Sequence, residues 1–163
     1  VKKILLTVLT AFGLAMVTAM PVQAQLSRDQ NAPIDFTGQK FEVFDQQDYA
    51  VWTGDVQAVQ GEAILTAPKL TLYGVSDGEL DRIHALGGIR YTNGSEAISG
   101  EQAIYDAAKN TIVVTGNVVV VQGKQVMSGD ELEYNTQTGE IKFTAGQQRR
   151  VRGIFFQEQE NNS

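Results

Sequence analysis

A repeat of about 30 residues constrains this chain more than any other feature. Gly54-Asp55-Val56-Gln57-Ala58-Val59-Gln60-Gly61 returns 62 residues later as Gly116-Asn117-Val118-Val119-Val120-Val121-Gln122-Gly123. Residues 87–94 form a degenerate copy between them, at offsets of 33 and then 29 residues. A second element interleaves with the first: Thr37-Gly38-x-x-Phe41-x-Val43, Thr66-Ala67-x-x-Leu70-x-Leu72, Ser99-Gly100-x-x-Ala103-x-Tyr105 and Ser128-Gly129-x-x-Leu132-x-Tyr134. Its steps are 29, 33 and 29 residues. A unit this small cannot bury its own apolar face, so successive copies must stack and share one continuous interior.

The repeats are built of strand signals. No window after residue 24 sustains apolar residues at helical spacing, whereas alternating or continuous β-branched runs recur at residues 41–43, 69–73, 111–115 and 118–121. Turn formers separate them: Asp77-Gly78, Asn93-Gly94, Gln122-Gly123 and Thr138-Gly139. The alanines of residues 100–109 leave that stretch ambiguous between helix and strand. Each unit is expected to hold several short strands, with the chain turning a corner at the small residue of the second element, where little or no Cβ bulk lets a strand bend.

Alternation then assigns the inward side chains. Phe41, Val43, Leu70, Leu72, Tyr105, Leu132 and Tyr134 form one set; Val56, Ala58, Ile89, Tyr91, Val118 and Val120 a second; Ile112, Val114, Ile141 and Phe143 a third. Their neighbours Glu42, Gln57, Thr71, Arg90, Asp106, Glu133 and Lys142 should face water. The register of residues 118–121 is less defined, because that run does not alternate.

The chain opens on an export address. Lys2 and Lys3 precede a 17-residue uncharged, mostly apolar run at residues 4–20, and Val22-Gln23-Ala24 supplies a small-residue cleavage pattern. A cleaved signal peptide over residues 1–24 is expected. The rival is a retained anchor, but a span wants about 20 apolar residues. Cleavage leaves 11 bases against 19 acids, net −8, over residues 25–163. Such a balance disfavours phosphate-neutralising contact with nucleic acid or adhesion to an anionic membrane. With no cysteine and His84 alone, disulfides, thiolate zinc sites and multi-histidine clusters are excluded. Residues 25–156 are expected to form one domain, and the polar residues 157–163 a frayed tail.

Against that background, Pro33-Ile34-Asp35-Phe36, Thr53-Gly54-Asp55-Val56, Val59-Gln60-Gly61, Ala67-Pro68-Lys69-Leu70, Val113-Val114-Thr115-Gly116-Asn117-Val118 and Ser128-Gly129-Asp130-Glu131-Leu132-Glu133-Tyr134 resemble, in order, the OstA-like family. The likeness spans about residues 33–143. It implies an all-β fold, an open twisted antiparallel β-jellyroll of stacked layers slotted along one side. It also implies a periplasmic bridge for lipopolysaccharide, with the lipid A acyl chains sheltered by the inward sets above together with Ile34 and Phe36. The implied partners are the inner-membrane OstA-like member of an ABC-transporter complex, the N-terminal domain of an outer-membrane translocon, and further copies joined head to tail. Two relatives with a similar fold are disfavoured as expectations: the membrane-anchored member by the cleavable leader, and the translocon domain by the chain's ending after one domain.

The physics suits a carrier. Each acyl methylene left in water costs about 0.8 kcal/mol, and a groove of valine, leucine and tyrosine removes that cost without a covalent step. Repetition makes successive positions alike, so cargo can slide. Open first and last strands invite strand addition. The N-terminal edge is expected near residues 34–36, the C-terminal edge near Phe143 or residues 151–156. Arg149, Arg150 and Arg152 there either guard against uncontrolled addition or pair with an acidic neighbouring end.

Other chemistries find little support, and no cofactor is expected. Asp77, Glu79 and Asp81 lack the spacing of a calcium loop. Asp130, Glu131 and Glu133 invite a paired-carboxylate reading, but at least two should point outward. Tyr49 and Trp52 could stack on sugars, although Trp52 aligns with inward Val114. Nothing pairs a nucleophile with a base. The second functional class is a structural β-solenoid with a filled core and no ligand.

Overall fold

The computed structural model describes residues 32–156 apart from 77, 79 and 148. The proposed signal peptide and the 157–163 tail lie outside the described residues, as do Asp77 and Glu79. Within them the chain forms β1 (Asp35–Thr37), β2 (Lys40–Phe44), β3 (Tyr49–Gln60), β4 (Ala63–Tyr73), β5 (Arg82–Thr92), β6 (Glu96–Asp106), β7 (Thr111–Gln122), β8 (Gln125–Asn135), β9 (Ile141–Thr144) and β10 (Arg152–Ile154). One 3-10 turn, Asp45–Gln47, joins β2 to β3. All ten strands belong to one open antiparallel sheet ordered β1-β3-β4-β5-β6-β7-β8-β10, with β2 also on β3 and β9 also on β8.

The all-β reading holds, and the ambiguous residues 100–106 are strand within β6. The expectation of several short strands per repeat is corrected. Each repeat is a hairpin of long strands, and β3 to β8 run 11 or 12 residues apiece. What looked in the sequence like a break between short strands is a bend within a long one.

The bend is a row of bulges crossing the sheet. Register shifts fall between Thr53 and Val56, Thr66 and Lys69, Leu86 and Ile89, Ser99 and Gln102, and Thr115 and Val118. On β3, β5 and β7 two consecutive residues hold positive φ: Gly54-Asp55, Gly87-Gly88 and Gly116-Asn117. Such paired left-handed residues bend a strand and sharpen its twist. The corner was expected at Gly38, Ala67, Gly100 and Gly129. Those residues do lie along the crease, but the special backbone belongs to the glycine pairs of the first repeat element.

On β4, β6 and β8 the inward set changes parity at the crease, from Ala67 to Leu70, Gly100 to Ala103 and Gly129 to Leu132. The intervening Pro68, Glu101 and Asp130 turn outward. Their side chains cover the next glycine, so that a Cβ at Gly87 would meet Pro68 at 3.0 Å and one at Gly116 would meet Glu101 at 2.5 Å. Gln39 covers Gly54 in the same way.

Bending brings both arms onto one core. Val56, Ala58, Ile89, Ile98, Val118 and Val120 from one arm cluster with Leu70, Ala85, Ala103, Val114, Leu132 and Tyr134 from the other. At the distal end of the second arm the turns are tied together. The Asp48 carbonyl accepts from Gly74 N–H at 3.1 Å, the Asp81 carbonyl from Ala107 N–H at 2.9 Å, and the Asn110 carbonyl from Thr136 N–H at 2.8 Å.

Candidate functional site

The interior of the bent sheet is a set of cross-strand rows, because residues opposite one another in an antiparallel pair share a face. Ala58, Leu65, Tyr91, Ile98, Val120 and Met127 make one row on the first arm. Ala50, Leu72, Ile83, Tyr105, Ile112, Tyr134 and Ile141 make another on the second arm. The arms meet across this interior, where Val118 and Val120 of one arm share a buried cluster with Leu132 and Tyr134 of the other.

Much of the interior is closed by its own side chains. Val56, Ala58, Leu70, Leu72, Ile89, Val114, Val118, Val120, Leu132 and Tyr134 are all buried, and Leu70 and Val118 are wholly inaccessible. These ten sequence-predicted lining residues therefore form the base. Phe36, Tyr91, Tyr105, Ile112, Ile141 and Phe143 are half-buried, and Ile34, Phe41 and Val43 are exposed, the last two at 49%. The accessible apolar surface is thus a rim, to which the structure adds Leu65, Ile83, Met127 and Trp52. Leu65 and Ile83 fall on the alternation and could have been assigned from it. Trp52 packs against Phe41 with ring centroids 4.4 Å apart, on the inward face where its alignment with Val114 puts it.

The run at residues 118–121 resolves into inward Val118 and Val120 and outward Val121. Two residues expected to face water are nevertheless buried, Thr71 and Asp106. Thr71 sits on the outer face in a row between Val51 and His84. Asp106 is enclosed at the turn into β7, where Lys109 N–H donates to its Oδ1 at 3.1 Å and Arg82 and Lys109 approach its Oδ2 at 3.4 and 3.5 Å. Burial pushes its pKa up, but these contacts outweigh it and hold the carboxyl below its ordinary range.

His84 Nε2 lies 3.5 Å from Gln102 Oε1 on the outer face. Glu131 and Glu133 also face outward, opposite Thr115 and Val113. Asp130 caps the crease: Gly146 N–H donates to it at 2.6 Å and Arg149 at 2.8 Å, and the Gly146 bond leads in holding its pKa below the ordinary range. Arg149 also donates to Asn117 Oδ1 at 2.9 Å, so this arginine pairs within its own chain. Arg150 lines a shallow cleft of about 220 Å³ beside it.

Both edges are open and split in two. β1 and β2 cover the two halves of β3, and β10 and β9 cover the two halves of β8. Val151, Ile154, Phe155 and Phe156 leave a greasy C-terminal corner, the two phenylalanines 62% and 63% exposed.

These features define a class: an open β-jellyroll of creased hairpins with an apolar interior and two unclosed edges. Residues 36–140 match the family described as "LptA/(LptD N-terminal domain) LPS transport protein". An uncharacterised protein of Rhizobium meliloti is 32% identical over 149 residues, spanning 85% of this chain and 79% of that protein. The lipopolysaccharide export system protein LptH of Pseudomonas aeruginosa is 26% identical over 133 residues, 77% of this chain and 76% of that one. The crystal structure of LptH, described as the LptA-homologous periplasmic component of the lipopolysaccharide transport device, superposes with a TM-score of 0.69. It covers 79% of this chain and 99% of that one at 24% identity, a likeness of fold. The chain belongs to the LptA/LptD N-terminal family of lipopolysaccharide-transport proteins.

Proposed function

We propose that this protein is a non-enzymatic periplasmic bridge that carries lipopolysaccharide with its acyl chains against the half-buried rim of the bent sheet. The observation that carries the reading is the split of the interior. The base is sealed by side chains packed as in any core, while the row through Leu65, Tyr91 and Met127 and the row through Ile83, Tyr105 and Ile112 remain partly accessible on facing arms. A purely structural module gains nothing from apolar side chains left half-exposed on successive hairpins. A lipid chain covering them gains about 25 cal/mol for each Å² removed from water. Both rows stay largely apolar from hairpin to hairpin, so cargo meets no single deep well and can advance when pushed.

The open edges support end-to-end assembly by strand addition between β1 and β2 of one copy and β9 and β10 of the next, with inner-membrane and outer-membrane relatives of the same fold as terminal partners. A photo-crosslinking residue at Tyr105 is expected to give lipopolysaccharide adducts in cells, while one at buried Val118 gives none. Normal folding without any adduct at Tyr105 or Tyr91 would leave the filled structural module as the better reading.

A further inference from the structure

Glu96 is an acid on the inward face. It opens β6, its neighbour Ala97 is exposed, and Ile98 two residues on belongs to the core. Glu96 itself is only 5% exposed. Its backbone is well held: Glu96 N–H donates to Asn93 Oδ1 at 2.9 Å, and its carbonyl accepts from Asn93 N–H at 3.2 Å. Its carboxyl makes no hydrogen bond or ion pair with any described residue. Burial of an unpartnered carboxyl is costly, and no cation among the described residues offsets it. The groups facing it are Tyr91 on β5, Asn93 in the turn and Gln122 directly opposite on β7. Burial raises the pKa of Glu96, and burial first and the Glu96 charge second push the Tyr91 phenol up to about 12.

The position of Glu96 gives this cost a use. The row through Leu65, Tyr91, Ile98 and Val120 is the last apolar row of its arm. The next one outward carries Gln60, Glu96, Gln122 and Gln125, with Ala63 as its one apolar member among the described residues. Glu96 therefore marks the line where the interior changes from apolar to polar. A hydroxyl or amide on an otherwise apolar chain loses its water on entering the slot and needs an acceptor there. Both protonation states of a carboxyl supply one.

We propose that Glu96 accepts a hydrogen bond from a hydroxyl or amide N–H on the lipid chain lying against the half-buried Leu65 and Tyr91 of that row, and so selects donor-bearing chains. The inference rests on the carrier reading and adds a specificity residue to it.

The test uses the full chain and two isosteric probes, N-methyldecanamide and methyl decanoate, which differ by an N–H in place of an oxygen. Each displaces a fluorescent apolar dye, and the amide-to-ester affinity ratio is compared across wild type, Glu96→Gln, Glu96→Leu and Glu96→Ala. Taking the ratio cancels the intrinsic difference in hydration of the probes. Glu96→Leu and Glu96→Ala are expected to shift it about tenfold against the amide, while Glu96→Gln, which keeps an acceptor oxygen, holds it within about twofold. A loss of general packing would weaken both probes together and leave the ratio in place. An unchanged ratio in folded Glu96→Leu and Glu96→Ala overturns the role of Glu96 alone. Failure of wild type to bind dye or either probe overturns the carrier reading beneath it.

Discussion

At Gly116 the backbone holds φ at +83°, and a Cβ would stand 2.5 Å from the Glu101 side chain. Gly88 sits on the same crease at φ +93° with open space around it. Alanine at Gly88 should cost only the left-handed backbone penalty, roughly 1–2 kcal/mol. Alanine at Gly116 must also displace Glu101 and should cost roughly 2–4 kcal/mol. Chemical denaturation separates the two, and equal losses would refute the covering role of Glu101.

The acids divide by the sign of their linkage. Asp48, Asp106 and Asp130 have lowered pKa values, Asp48 through the N–H of Ser76 above all. A lowered pKa gives stability that is present above the unfolded value and lost as pH falls through the folded one. Glu96, raised by burial, behaves oppositely: its contribution is full below the unfolded value and declines as pH rises through the folded one. Wild type should therefore lose stability on both sides of an acidic optimum. Glu96→Gln should remove the decline on the alkaline side of the ordinary glutamate range, leaving the acid limb unchanged. Thermal melts from pH 3 to about pH 8 measure this.

Among the elements, the even-numbered long strands carry the fold's least tolerant spacing. The inward set steps by three residues at the crease, from Gly100 to Ala103 on β6, where alternation alone would step by two. Deleting Glu101 would put one arm of β6 on the wrong face, exposing Ile98 or Ala103, since a one-residue slip inverts every side chain beyond it. The deletion is expected to yield no cooperatively folded protein. Glu101→Ala, which keeps the spacing and loses the 2.8 Å bond from Asn117 Nδ2, should fold with an unchanged circular dichroism spectrum. In the core, Leu132→Ala should cost about 2–5 kcal/mol, because its side chain is buried where the arms meet. The small-x-x-apolar spacing was visible in all four copies of the second element. Its meaning was not, because a three-residue step reads equally as a gap between short strands or a bulge within one long strand. Only the partner strand's register distinguishes them.

Across the whole molecule each strand meets mainly its sheet neighbours, so stability should grade along the stack rather than unfold as one block. Hydrogen exchange is expected to be slowest in β4 to β7 and fastest in β1, β2, β9 and β10, the short strands at the two edges. If those edges join copies together, protection in them should rise with protein concentration, in step with head-to-tail oligomers seen by light scattering. Strictly monomeric scattering with unprotected edges at high concentration would contradict the assembly.

The sequence by itself determined the periodic plan: an all-β chain repeating about every 30 residues, the inward sets, and open edges near residues 34–36 at one end and near Phe143 or residues 151–156 at the other. These follow from side-chain alternation and turn chemistry, which are local and repeat with the chain. It could not separate the sealed base from the accessible rim, since Val118 and Ile112 look alike as inward apolar residues. It gave no sign that Glu96 faces the interior without a partner. Those distinctions depend on how far the crease bends one arm toward the other, a distance between residues remote in the chain that only the folded sheet sets.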